Sequence, residues 1–363
     1  MEEFDHEEVV FFQDTNVGLK AIVAIHNTVL GPALGGTRMW PYQSEEEAVR
    51  DALRLSRGMT YKAAAAGLNL GGGKAVIIGD PKKHKSQTLF SIYGRFLNTL
   101  GGRYITAEDV GTDVNDVEYM YTETDYVVGI ETSHGGSGDP SPFTALGVFQ
   151  GIKACANRVF ASEDLHGRVV MVQGAGAVGS KLARLLVGAG AKVVVADIDA
   201  ARVRQLEQEL KVESVPTAQA HSTPCDIFAP CALGAVLNDT TIPQLRCRIV
   251  AGAANNQLER AEHADQLRAK DILYAPDYVI NAGGLMNVYL EIEGYSRERA
   301  ERMTRGIYYN LTKVFQIADE EKISTESAAT HLVHARLEKV GRSSAIFEPE
   351  RRNILAKMRL RRR

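Results

Sequence analysis

The sequence predicts a two-domain α/β protein whose second domain is a doubly wound parallel sheet. Three observations carry that prediction. At 363 residues the chain exceeds one average domain. Apolar strand-like runs alternate with amphipathic helical runs in both halves. A glycine- and proline-rich stretch, Ser133 to Pro142, separates the two patterns and reads as a linker or hinge. The first domain is read as residues 1–134 and the second as 135–334, and helices from about 335 are expected to pack back on the first.

The first strand read from the chain is Ala21 to Ile25, and Pro32 to Arg38 follows as a glycine loop. Ser44 with Glu47 three residues on forms a capping-box signature for a helix. Val49, Ala52, Leu53 and Ser56 share a face of that helix, which leads directly to Lys62. The segment from Gly71-Gly72-Gly73 to Lys74 precedes a strand at Ala75 to Ile78. Ser86 opens a second helix that stops at Gly101-Gly102. Short strands are then expected at Arg103 to Thr106 and Tyr126 to Val128. Beyond the linker, strands read at Arg168–Gln173, Lys192–Ala196, Asp226–Ala229, Arg248–Ala251 and Asp271–Tyr274, with a helix from Ser180 after the first of them and helices from Leu285 to about Val340.

Composition narrows the function. Charged residues make up 24% and the hydrophobic set 45%, as in a globular protein with real cores. A net charge of -3 argues against nucleic acid or an anionic membrane as the main partner. The acidic start lacks a signal-peptide pattern, and no apolar run is long enough to span a bilayer, so a cytoplasmic protein is expected. Cys155, Cys225, Cys231 and Cys247 show no Cys-x-x-Cys spacing, so they are read as buried free thiols, with no metal site. The arginine-rich stretch from Arg351 reads as a solvated tail.

Two motifs carry chemistry. Lys62 and Lys74 bracket a segment of alanine, glycine and leucine, and three glycines leave Lys74 unshielded. A lysine delivered so into a cleft loses hydration and suits proton transfer; the bland alternative is a buried turn with both lysines reaching solvent. In the second half, Gly174-Ala175-Gly176-Ala177-Val178-Gly179 sits between strand and helix, and Asp197 ends the next strand. This is the Rossmann-type fingerprint: the glycines admit a pyrophosphate to the helix N-terminus, and the acid accepts a ribose diol while repelling a 2′-phosphate. NAD is the cofactor expected.

Further motifs join these: Leu34-Gly35-Gly36-Thr37-Arg38, Gly58-Met59-Thr60-Tyr61-Lys62, Thr106-Ala107-Glu108-Asp109, Ala253-Ala254-Asn255-Asn256-Gln257, and Pro276 through Gly284. Together they resemble the glutamate/leucine/phenylalanine/valine dehydrogenase family over nearly the whole chain. The resemblance implies a substrate domain and an NAD domain with a cleft between them, a homo-oligomer (octamer or dimer), and reversible oxidative deamination of an L-amino acid to a 2-oxo acid, ammonia and NADH. It implies that Lys62 binds the substrate carboxylate, Lys74 is the catalytic base and Asp109 exchanges protons with the amine. Helix capping near Asp113 is the competing structural role for Asp109. Gly35 and Met59 match substrate-site lining, and Asn256 is grouped with the substrate contacts. Thr144, Asn255 and Arg38 are placed on the cofactor side, with loop pinning the alternative for Arg38.

The family pocket maps onto Leu34, Ala107, Leu285 and Val288, all apolar, which implies branched aliphatic substrates, leucine first, with valine and isoleucine behind. Two departures bear on that preference. Leu285 stands where members acting on leucine usually carry valine, and the third glycine, Gly73, is shared with members acting on aromatic amino acids. Phenylalanine or tryptophan as substrate is therefore one alternative, and a non-catalytic NAD-binding sensor another. Keeping Lys62, Lys74 and Asp109 together argues against a sensor, because nucleotide binding requires none of them.

Overall fold

The computed structural model describes residues 5–232 and 234–343; the arginine-rich stretch from Arg351 lies outside them. The chain forms two compact units. One holds the described residues through Asp139, then Asn287–Arg299 and those from Val333 on; the other holds Pro140–Met286 and Ala300–Leu332.

The first unit is built on a mixed six-stranded sheet. Its elements are β1 (Glu8–Asp14), β2 (Leu19–Asn27), β3 (Ala33–Leu34), β4 (Thr37–Trp40), α1 (Glu45–Ala65), β5 (Gly71–Ile78), α2 (Gln87–Thr99), β6 (Tyr104–Ile105) and α3 (Val114–Tyr121). The strand order is β1-β2-β5-β3-β6, with β4 also on β5. β1 was not foreseen: Val9-Val10-Phe11-Phe12 is a continuous apolar run on a half-exposed edge, so it shows neither strand nor helix period. Instead of the expected glycine loop, the 32–38 stretch is a broken strand. β3 pairs parallel with Gly71-Gly72, Gly35-Gly36 makes the break, and β4 pairs parallel with Ala75–Ile78. Tyr126 to Val128 makes only a single bridge, Thr106 to Val127, rather than the expected strand.

Alternation along β5 decides where its side chains go. Val76 joins the cluster with Ala48, Ala52 and Leu53 of α1. Ala75 and Ile77 join the opposite cluster with Leu89, Phe90 and Tyr93 of α2. Lys74 therefore projects on the α1 face. The glycines before it lie in extended strand, and close approach rather than unusual backbone angles requires them. A Cβ on Gly72 would lie 2.1 Å from the Thr60 nitrogen, and one on Gly73 would lie 2.6 Å from the Tyr104 ring.

The second unit begins with α4 (Ser141–Phe160) and continues through β7 (Val169–Gln173), α5 (Ala177–Gly188), β8 (Lys192–Ala196), α6 (Ala200–Leu210), β9 (Glu213–Ser214), β10 (Ile227–Pro230), β11 (Ile249–Val250), α7 (His263–Ala269), β12 (Leu273–Tyr274) and α8 (Asp277–Ile280). Its sheet has the order β12-β11-β10-β7-β8-β9, every pair parallel. That is a doubly wound sheet, and the strand order reverses between β7 and β10. The helices α9 (Gly283–Glu293), α10 (Arg297–Arg305), α11 (Ile307–Glu321) and α12 (Thr325–Ser343) complete the described chain. None among the described residues is long and apolar enough to cross a membrane.

The 133–142 stretch is not an open tether. Gly136 N–H donates to Glu131 O at 3.0 Å, and Ser137 is buried. The four cysteines are unbridged; Cys155 and Cys247 are buried, but Cys225 and Cys231 are only half-buried.

Candidate active site

In the first unit, three backbone segments run side by side: 33–38, 71–76 and 104–109. Leu34 pairs with Gly72 on one side and Ile105 on the other. Gly35 N–H donates to Ile105 O at 3.1 Å and Thr37 N–H to Ala107 O at 2.8 Å. A Cβ on Gly36 would meet the Asp109 Cβ at 2.9 Å, and one on Gly35 would meet Gly73 O at 1.8 Å and Met59 Cγ at 3.4 Å. Small residues at these points let the segments close up, and so bring Leu34, Gly35, Met59, Ala107, Asp109 and Lys74 into one neighbourhood.

Lys74 is 4% exposed, and its Nζ lies 2.7 Å from Asp109 Oδ1. The other Asp109 oxygen accepts from Arg38 Nε at 2.8 Å. Arg38 Nη1 donates at 2.9 Å to Asp51, which also accepts from the Tyr42 hydroxyl at 2.7 Å. Burial raises the Asp109 carboxyl, but Lys74 and Arg38 more than offset it, and its pKa lies below the usual range. The alternative capping role falls instead to Asp113, which makes a capping box with Asp116 on α3. Asp109 N–H is held by Thr112 Oγ1 at 2.9 Å, which fixes the turn that presents the carboxylate. Lys62, half-buried, sits in the last turn of α1, two residues past Thr60, which packs on Gly72. Arg38 is engaged with two carboxylates. Sequence reading missed Asp51 and Tyr42, because nothing in the local pattern links positions 9 and 13 apart.

In the second unit, the Gly174 loop lies at the point where the strand order reverses. Gly174 has φ +108, and a Cβ there would lie 2.8 Å from Ala232 N. A Cβ on Gly179 would lie 1.9 Å from Gly174 O, whereas one on Gly176 would find only Arg202 Nη1 at 3.9 Å. The first glycine makes the turn, the third packs α5 against the strand, and the second leaves room for a phosphate to approach. α5 starts at Ala177 with Gly176 as its cap, three residues before the expected start, so Ala177 and Val178 lie in its first turn with their N–H groups at the helix N-terminus. Asp197 accepts from Ala175 N–H at 2.5 Å and from Asp199 N–H at 2.8 Å, so its carboxylate is oriented at the end of β8.

Asn255 and Asn256 are exposed in the loop after β11, Asn256 with φ +51. Asn281 Nδ2 donates to Asn255 Oδ1 at 2.8 Å and to Ala253 O at 3.1 Å, and so orients that loop. Thr144 lies in the first turn of α4, 2.7 Å from a Cβ built on Gly284. Gly283 and Gly284 thus serve the packing of α9 on α4. Leu285 and Val288 are both buried on α9.

Two other features are explained by charge balance. Asp239, Glu259 and His263 come together, but Arg260 bonds both acids and its N–H donates to His263 Nδ1 at 3.0 Å. A cavity of about 390 Å³ gathers Arg158, Arg248, Arg268 and Lys322. Arg158, Arg268 and Lys322 lie at the C-terminal ends of α4, α7 and α11, where cations complement the helix dipoles.

Residues 6–126 match the family model for the Glu/Leu/Phe/Val dehydrogenase dimerisation domain, and residues 135–201 and 196–342 match that for Glutamate/Leucine/Phenylalanine/Valine dehydrogenase. The chain is 53% identical to a leucine dehydrogenase of Geobacillus stearothermophilus, covering 99% of this chain and 98% of the relative. It is 47% identical to a phenylalanine dehydrogenase of Caldalkalibacillus thermarum, over 95% of both chains. The crystal structure of L-tryptophan dehydrogenase from Nostoc punctiforme superposes with a TM-score of 0.82 at 46% identity, covering 93% of this chain and 98% of that one.

Proposed function

The chain belongs to the glutamate/leucine/phenylalanine/valine dehydrogenase family, and from that premise we propose that it is an NAD-dependent leucine dehydrogenase. It oxidatively deaminates branched-chain L-amino acids, leucine first, to the 2-oxo acid and ammonia. The observation that carries the reading is the pair of buried Lys74 with half-buried Asp109, held from its far side by Arg38.

In this reading the Lys62 ammonium binds the substrate α-carboxylate as a fixed cation. Asp109, kept ionised by its two cations, accepts a proton from the substrate ammonium. The bound dinucleotide supplies the acceptor for the α-hydride. Lys74, as the free amine, then takes a proton from the water that attacks the imino carbon. Because Arg38 compensates the same carboxylate, Asp109 can begin the cycle ionised although Lys74 begins it as the free amine. Protonation of the leaving nitrogen from Asp109, with loss of the carbinolamine hydroxyl proton to solvent, forms the carbonyl of the 2-oxo acid and releases ammonia.

Gly174, Gly176 and the α5 N-terminus fit a pyrophosphate, and Asp197 fits an unphosphorylated ribose diol. Thr144 and Asn255 are assigned to the nicotinamide side, and Arg38 to orienting Asp109. Leu34, Ala107, Leu285 and Val288 offer the substrate side chain an apolar lining, which rejects glutamate because its second carboxylate would be buried unpaired. Gly73 does not speak for an aromatic substrate: it faces Tyr104 and Ala33 in the core, on the opposite side of β5 from Lys74.

NADH formation at alkaline pH from leucine, valine, isoleucine, phenylalanine, tryptophan and glutamate tests the reading. Leucine is expected to have the highest kcat/KM. A higher value for either aromatic overturns the pocket assignment, and no turnover of any of them overturns the reaction.

A further inference from the structure

Glu291 is a fully buried carboxylate on α9. Both of its oxygens accept from Gly129 N–H at 3.0 Å. Oε1 also accepts from Ser137 N–H at 2.9 Å and from the Ser137 hydroxyl. A buried carboxylate is tolerated only when well hydrogen-bonded, and a set of donors converging on one such group fixes its geometry more tightly than apolar packing does. The donors come from the two ends of the 129–137 segment, so a single side chain on α9 pins both.

What Gly129 touches gives this a functional direction. Gly129 has φ +77, and a Cβ built on it would lie 4.0 Å from the Ala107 Cβ. The adjoining Val128 N–H donates to Thr106 O at 2.9 Å, so this segment runs beside the one that carries Ala107 and Asp109. Glu291 in turn lies three residues after Val288, on the same side of α9.

We propose that Glu291 is a positioning residue for substrate selection: its carboxylate sets Gly129, and through it Ala107, at a fixed place relative to Val288. The inference rests on the reading that Ala107 and Val288 line the side-chain pocket. Glu291 shapes the space between those two walls, while Lys74 and Asp109 handle the reacting atoms.

Glu291→Gln separates the two donors. The amide oxygen can keep both bonds from Ser137 and one of the two from Gly129 N–H, but the amide nitrogen in the other position faces that N–H, donor against donor. The variant therefore loosens the Gly129 end alone. The readout is the ratio of kcat/KM for leucine to that for phenylalanine, with KM for NAD and the melting temperature measured alongside. The ratio is expected to change by about fivefold or more, because selection among apolar side chains rests on small differences in fit. KM for NAD should stay within about twofold, since uniform cofactor binding is untouched. Ser137→Ala, which keeps the Gly129 bonds, should move the ratio much less.

Val288→Ala is measured beside it. If that change leaves the ratio unmoved, the pocket reading fails and the proposal falls with it. If Val288→Ala moves the ratio while Glu291→Gln lowers all substrates equally, Glu291 is only structural and the proposal is overturned. Should Glu291→Gln not fold, Glu291→Asp, which keeps the charge on a shorter arm, decides by the same ratio.

Discussion

Arg38 separates two accounts of the site, and Arg38→Met tests them. Methionine keeps much of the buried length and removes the charge. In the structure Arg38 gives Asp109 one charge-assisted hydrogen bond of 2.8 Å and Asp51 another of 2.9 Å. A hydrogen bond to a charged group is worth about 1.5–3 kcal/mol. The Arg38 and Asp109 side chains are 21% and 22% exposed, so solvent screening favours the lower part of that range, about 1.5–2 kcal/mol. If the whole loss falls on transition-state positioning, kcat/KM for leucine drops roughly 10- to 30-fold. The pH profile should change as well. Asp109 has a depressed pKa, so its ionised form is present above that pKa and lost as pH falls through it. With one of two cations removed the depression shrinks, and the acid limb of kcat/KM moves to higher pH. Initial rates against pH at saturating NAD measure both effects. An unchanged acid limb with a raised KM for NAD would refute the argument and return Arg38 to the cofactor.

Three further outcomes follow from the same geometry. Lys74→Ala should lower kcat by about 10²–10⁴ while the dissociation constant for NADH, read by its fluorescence, stays near wild type; near-normal kcat would sink the base assignment. Asp197→Ser should lower the NAD-to-NADP ratio of kcat/KM by about tenfold, since repulsion of the 2′-phosphate goes and Arg202 is at hand beside Gly176; an unchanged ratio would mean another group sets the preference. Gly72→Ala places a Cβ 2.1 Å from the Thr60 nitrogen, so α1 must shift. Denaturant titration should show a loss of about 3 kcal/mol or more, and stability within error of wild type would refute close approach as the reason for that glycine.

The sequence alone determined what contiguous segments settle for themselves. The strand, the Gly174 loop, the helix after it and Asp197 at the next strand end could be read because turn, helix and acid follow one another along the chain, although the helix begins three residues before the expected start. The caps of α1 and α2 at Ser44 and Ser86 were legible for the same reason. The roles proposed for Lys62, Lys74 and Asp109 came from ordered motifs that resemble a family, since spacing alone left both lysines free to reach solvent. Tertiary structure decided which face each residue occupies and what it meets. Lys74 faces α1 because β5 alternates and Gly72 is locked under Thr60. Gly73 turns to the opposite core, so a residue that looked like a mark of substrate size answers to Tyr104. Asp51 reaches Arg38, and Glu291 reaches Gly129 from 162 residues away, only once the sheet and helices have packed. Such pairs leave no trace in local pattern, because their hydrogen bonds form only after distant segments have closed the loop between them.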